Sequence, residues 1–276
     1  MGWIPYNSTI KLFEGQRVIP AFSKIENKDQ AMAKSATKKI LKFWGIKYVP
    51  KDQEPCAVPV TSSSVIPNKL SLKEKQRLLA ELEAQVRKNE KCGLRKGCTN
   101  LVFGEGNPGS EIVFVGEAPG FEEDKLGRPF VGRAGILLTD IITKGMGLER
   151  EQVYICNVLK CRPPQNRTPT PDEIIACSPY LTRQLQIIHP KVIVALGASA
   201  VRALLPDVQD TISHTRGHFF DYHLDGPGTQ TGEVVQLIPT FHPAYLLRNP
   251  PEKAKVWDDI KKVMAYLDIP IPAKQK

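Results

Sequence analysis

Three short segments carry residue types that do chemistry, and each closely follows a short apolar run. Gly116-Glu117-Ala118-Pro119-Gly120 follows the run 111–115, Asn157 follows 153–156, and His242-Pro243 follows 234–239 after Thr240 and Phe241. A glycine-rich turn exposes backbone N–H groups. A carboxamide offers an acceptor and two donors, and an imidazole changes charge near neutral pH. Brought to one rim, the three could together form a ligand site. Taken singly, each is equally a turn, a cap or a surface histidine. Their recurrence at the ends of three runs favours a site.

The six cysteines are a second candidate: Cys56, Cys92, Cys98, Cys156, Cys161 and Cys177. The opening residues lack the basic and apolar regions of an export signal, so thiols rather than disulfides are expected. Cys92 and Cys98, then Cys161 and Cys177, are candidate ligands for zinc or an iron–sulfur cluster. Buried thiols acting as small hydrophobes would give the same pattern, and no CxxC is present.

The runs 111–115, 153–156, 191–196 and 234–239 alternate with helical patterns at 133–146, 171–188, 198–205 and 251–267. Buried strands alternating with helices predict an α/β fold. Its centre is a four-stranded parallel sheet flanked by helices on both faces, a three-layer α/β/α arrangement. Ligands in such sheets bind beyond the carboxyl ends of the strands, which is where all three segments fall. Ser71 and Glu74 form a capping box ahead of Leu78, Leu79, Leu82 and Val86. The α/β domain is therefore expected to span 71–276.

Residues 1–70 read differently, as a basic extension with a helical pattern at 28–44 and a Pro/Ser-rich linker at 50–67. Of the net charge of +9, residues 1–91 hold +8, from 17 Lys+Arg against 9 Asp+Glu. That suggests a polyanion such as nucleic acid, or simply a well-solvated arm. The chain has 276 residues, 41% hydrophobic and 24% charged, which fits a globular protein. No apolar run reaches the roughly 18 residues a membrane span needs. A cytoplasmic, nucleoid-associated protein is expected.

At several points the residues resemble family 4 of the uracil-DNA glycosylases, the iron–sulfur enzymes. Gly116-Glu117-Ala118-Pro119-Gly120, Glu123-Asp124 and Gly127-Arg128-Pro129-Phe130-Val131-Gly132 resemble its first motif. Asn157 through Pro164, followed by Asn166-Arg167, resembles its uracil-recognition segment. His242 through Arg248 resembles its last motif, and 102–108 its lead-in. The resemblance covers about 75–266.

It implies cleavage of the bond between uracil and deoxyribose in DNA, with uracil flipped into a pocket. Gly116, Ala118, Pro119 and Gly120 would line that pocket. Phe130 would stack under the ring, Asn157 would read N3–H and O4, and His242 would stabilise charge on O2. Ala118 stands where other relatives of the superfamily carry an Asp, so no general base is evident; Glu117 and the loop would position the water. Arg167, Leu246, Leu247 and Arg248 would meet DNA. The resemblance also implies a structural [4Fe-4S] cluster. Cys92, Cys161 and Cys177 match three of its ligands, but Asn89 holds the place of the first, so Cys98 is expected to complete the set. A three-cysteine cluster, zinc or no metal are the alternatives. A monomer is expected, with the extension available to a replication or repair partner. Two other functions fit the same residues: a non-catalytic uracil-DNA binder, and a glycosylase for another deaminated base such as hypoxanthine.

Overall fold

The computed structural model describes residues 70–88, 93–227 and 232–272. The helical pattern at 28–44, the linker, Cys56, Asn89 and Cys92 lie outside the described residues.

Helix α1 (Leu72–Arg87) starts at Ser71, whose Oγ accepts from the Glu74 N–H at 3.3 Å, and buries Leu79, Leu82 and Val86. The sheet has six strands: β1 (Glu105–Gly106), β2 (Ile112–Gly116), β3 (Tyr154–Asn157), β4 (Val192–Leu196), β5 (Phe220–His223) and β6 (Val234–Thr240). Their order is β1-β3-β2-β4-β6-β5. The four expected strands form the parallel centre, and β1 and β5 add antiparallel edges. The pattern missed both edges for physical reasons. β1 is two residues long, and β5 carries Asp221 and His223 because only part of it is covered. β2 and β4 are buried at every position and so read as unbroken apolar runs.

Side chains alternate across the sheet. Val113, Val115, Ile193 and Ala195 enter a core on one face, with Leu79, Leu82 and Leu185 from helices. Ile112, Phe114, Val192 and Val194 enter the other, with Leu138, Met146, Val256 and Ile260. Helices on both faces make the three-layer architecture expected.

Between β2 and β3 come α2 (Phe121–Leu126) and α3 (Arg133–Asp140). The helix expected over 133–146 changes character at its middle, where Ile141–Met146 is π-helical and ends at Gly147. Helix α4 (Pro171–Ile188) has Pro171 in its first turn and a reciprocal cap between Thr170 and Glu173. After β4 come α5 (Ala198–Leu204) and α6 (Ile212–Thr215), and after β6 come α7 (Pro243–Arg248) and α8 (Lys253–Tyr266). Among the described residues, no helix is long and apolar enough to cross a membrane.

Candidate active site

Parallel pairing places Gly116 opposite Asn157 at the ends of β2 and β3. The two following loops stay joined, with Val158 N–H donating to Gly116 O at 2.9 Å and Leu159 N–H to Glu117 O at 3.0 Å. On the other side of β2, Leu196 pairs with Thr240 at the ends of β4 and β6, and His242 begins α7 two residues on. The three segments thus share one rim.

Asn157 is buried, 2% exposed, and its Oδ1 has no hydrogen-bond partner. An unsatisfied buried acceptor costs roughly 1–3 kcal/mol. Such an atom at a strand end invites a donor from a ligand. The Phe130 ring lies beside it. A Cβ added to Gly116 would collide with both Asn157 Oδ1 and the Phe130 ring, so the absent side chain is what lets them approach. The His242 ring is tilted 33° to that of Phe130, with centroids 5.6 Å apart.

Phe130 holds φ at +51°, an outlier for a bulky residue. Its neighbours enforce it. Glu123 Oε1 accepts from the N–H groups of Val131 and Gly132, both at 2.9 Å, and Oε2 accepts from Gly120 N–H at 3.1 Å. Arg150 donates to Pro129 O at 2.7 Å and is itself held by Glu105 on β1. Gly135 completes the clamp, because any side chain there would strike the Phe130 backbone. Strain of this kind persists where surrounding structure over-determines it, often at functional sites.

His242 Nδ1 accepts from Ala244 N–H at 3.1 Å. The ring proton is therefore on Nε2, and the neutral imidazole keeps a donor. Burial pushes the pKa of His242 down to about 4; the nearby Arg248 cation adds to this and Glu123 opposes it. Ring protonation would compete with the Ala244 bond. Any reaction at this rim that uses the Nε2 donor is therefore expected to show no step near the ordinary histidine value of about 6.5 and to decline as pH drops through about 4. A pH–rate profile checks this. Between those two values the unfolded chain binds the proton first, so stability is lost as pH drops from about 6.5 toward about 4.

The other expected residues are placed as follows. Pro119 is buried; Glu117, Ala118 and Gly120 are half-buried on the rim loop. Arg167 is exposed and bidentate to Glu173, at 2.8 and 2.6 Å, so a phosphate would have to compete for it. Leu247 and Arg248 are exposed. Leu246 is a correction. It is 1% exposed and packs in the core with Val256 and Phe241, on the inward side of α7. It anchors that helix and does not present to DNA here.

Of the thiols, Cys161 and Cys177 are buried and share a core with half-buried Cys98. The Sγ atoms of Cys98 and Cys161 lie 3.0 Å apart, although 63 residues separate them in sequence. Among the described residues, no three His, Cys, Asp or Glu side chains are grouped to hold a metal. The donor set, soft sulfur brought together from distant segments, fits an iron–sulfur group in kind.

The roles of several contributors went unread in the sequence. Glu123 had a readable signal, three residues past the Gly120 cap. Asp124 Oδ1 accepts from Thr99 and Asn100 N–H at 2.8 and 3.1 Å, tying the loop after Cys98 to α2. Lys160, fully buried, donates to Asn157 O at 2.7 Å. Glu105 was read only as part of the lead-in, and Arg150 had no local signal.

This rim, on a three-layer sheet, brings together an orphaned carboxamide, a strained aromatic and a neutral imidazole. Residues 103–261 match the family model described as the uracil DNA glycosylase superfamily. The chain belongs to that superfamily. Within it, the chain is 48% identical to a type-4 uracil-DNA glycosylase of Thermotoga maritima over 195 residues, 70% of this chain and 96% of that protein. It is 46% identical to the type-4 enzyme of Saccharolobus solfataricus, over 66% of this chain and 83% of that one. The type-4 enzyme of Archaeoglobus fulgidus is 45% identical, over 67% and 91%.

Proposed function

We infer that this chain is a DNA-repair enzyme that flips uracil out of DNA and hydrolyses its N-glycosidic bond, leaving an abasic site. The observation that carries the reading is the unpartnered, buried Asn157 Oδ1 beside the Phe130 ring, which in turn lies next to the His242 ring. The type-4 relatives support it independently.

The flipped base stacks on Phe130. Asn157 Oδ1 accepts from uracil N3–H while its amide group donates to O4; cytosine presents the opposite pattern at these atoms. As the bond from C1′ to N1 breaks, its electron pair moves into the uracil ring, and His242 Nε2–H donates to O2 where charge accumulates. The Gly116–Gly120 loop, with Ala118 and Pro119, encloses the ring. Water adds to C1′ of the oxocarbenium-like sugar, positioned by Glu117 and the loop backbone, and the proton it sheds ends on the departing uracil anion. Such a sugar is electrophilic enough to need no strong base. Leu247, Arg248 and Arg167 face the duplex.

Oligonucleotides carrying uracil, hypoxanthine or cytosine at one position test the reading. Release from uracil alone is expected. Release of hypoxanthine in preference would replace it with the alternative substrate, and tight binding without release would make the protein a binder.

The type-4 likeness is compatible with an iron–sulfur group. We place a structural [4Fe-4S] cluster on Cys92, Cys98, Cys161 and Cys177, where it would tie the loop before α2 to the loop after Asn157. The Cys161→Ser protein is expected to lose the visible iron–sulfur absorbance and to melt several degrees lower, a cost of roughly 2 kcal/mol or more. An unchanged spectrum and melt would remove the cluster from this site. The enzyme acts as a cytoplasmic, nucleoid-associated monomer. Its basic residues 1–70 add electrostatic affinity for DNA or dock a repair partner. Deleting them is expected to flatten the salt dependence of DNA binding; equal slopes would leave only the docking role.

A further inference from the structure

Phe121 comes directly after the Gly116–Gly120 loop and opens α2 with 55% of its surface exposed. Arg162, one residue past Cys161 in the loop after β3, holds its guanidinium 5.0 Å from the centre of the Phe121 ring. Asn166 Oδ1 accepts from Arg162 Nε at 2.7 Å and so orients that guanidinium. The turn supplying Asn166 is strained, since Gln165 and Asn166 both hold φ at +55°. The pair bridges the loops leaving β2 and β3, the adjacent strands that end in Gly116 and Asn157.

Closing two loops does not require an aromatic ring with more than half its surface in water. An exposed aromatic face with a fixed cation is the arrangement that holds an unpaired base and its phosphate. It is also continuous with the loop that encloses the flipped uracil. Every nucleobase has a π-face, so such a contact tolerates any neighbouring sequence.

We propose that Phe121 and Arg162 form a stacking platform for the nucleobase next to the flipped uridine, with the guanidinium meeting the adjoining phosphate. This rests on the glycosylase reading and extends it to the flanking nucleotide.

The test is a coupling experiment on the full chain, read by fluorescence anisotropy. The probe is a single-stranded oligonucleotide carrying one 2′-fluoro-2′-deoxyuridine, which resists hydrolysis. Companion oligonucleotides lack the base on one flank or the other. For the wild-type protein, removing the base on one flank is expected to weaken binding about tenfold. Phe121→Ala is expected to lose about the same on the intact probe and nothing further on that abasic-flank probe. Phe121→Leu, which keeps apolar bulk without a π-face, is expected to behave like Phe121→Ala, and Arg162→Gln to lower the salt slope by about one. Equal losses for Phe121→Ala on every probe would make the pair a structural tie and overturn the platform, as would no loss at all. A thymine-containing probe in the same titrations reads uracil preference. Its absence would strike the glycosylase reading, while the flank coupling decides the platform separately.

Discussion

Uracil release by the Asn157→Ala protein is expected to fall at least about 10³-fold in kcat/KM, with little change in Tm. The two halves of that result have one origin. The amide oxygen is buried and satisfies no group in the protein, so removing it breaks no internal bond through that atom. Its whole value lies in the ligand. Sites built to hydrogen-bond a substrate lose roughly 10⁴–10⁵ against a mismatched partner, because buried polar groups are left unpaired. Asn157→Asp is a sharper version. A carboxylate still accepts from N3–H but has no donor for O4 and places a charge beside it. Single-turnover rates with thermal melts check both. A large fall in Tm for Asn157→Ala, with activity lost only in proportion to unfolded protein, would reassign Asn157 to the scaffold.

The second large effect is expected from one methyl group. Gly116→Ala puts a Cβ into the space shared by Asn157 Oδ1 and the Phe130 ring. Gly116 is not among the glycines with positive φ, so the backbone accepts alanine and the damage comes from collision alone. Phe130 cannot move freely, because Glu123 and Arg150 hold the segments on either side of it. Asn157 cannot move freely, because Lys160 holds its carbonyl. Misplacing reacting groups by about 1 Å costs on the order of 10²-fold, and overpacking costs about 1–3 kcal/mol of stability. Both are expected together, read as kcat/KM and Tm. Wild-type activity in Gly116→Ala would show that the ring and the amide do not share that space when uracil is bound.

How much of this was legible in the sequence follows from where each interaction is encoded. The central strands were readable because parallel strands covered on both faces are apolar throughout, as in 112–115 and 192–196. The edges were not, because an edge strand needs only partial cover, which is why β5 tolerates Asp221 and His223. Gly116, Asn157 and His242 were readable because strand ends in α/β sheets gather at one rim. The clamp on Phe130 was not. Arg150 reaches Glu105 across 45 residues, and no local period encodes a contact made at a sheet edge. Leu246 shows the limit of carrying a motif over whole. Successive residues on a helix point about 100° apart, so Leu246 turns into the core while Leu247 stays outside. The thiols were legible as a set, and Cys98 and Cys161 meet as that set requires.

The central claim is that this rim breaks a glycosidic bond. The most direct measurement is strand cleavage by alkali of a labelled oligonucleotide carrying one uracil, after single-turnover incubation with the wild-type or the His242→Ala protein. Cleavage by the wild type is expected, with a rate about 10²- to 10³-fold lower in His242→Ala, since one donor to a developing charge contributes that much. Intact oligonucleotide after incubation with folded wild-type protein would contradict the account, as would an undiminished rate without the imidazole.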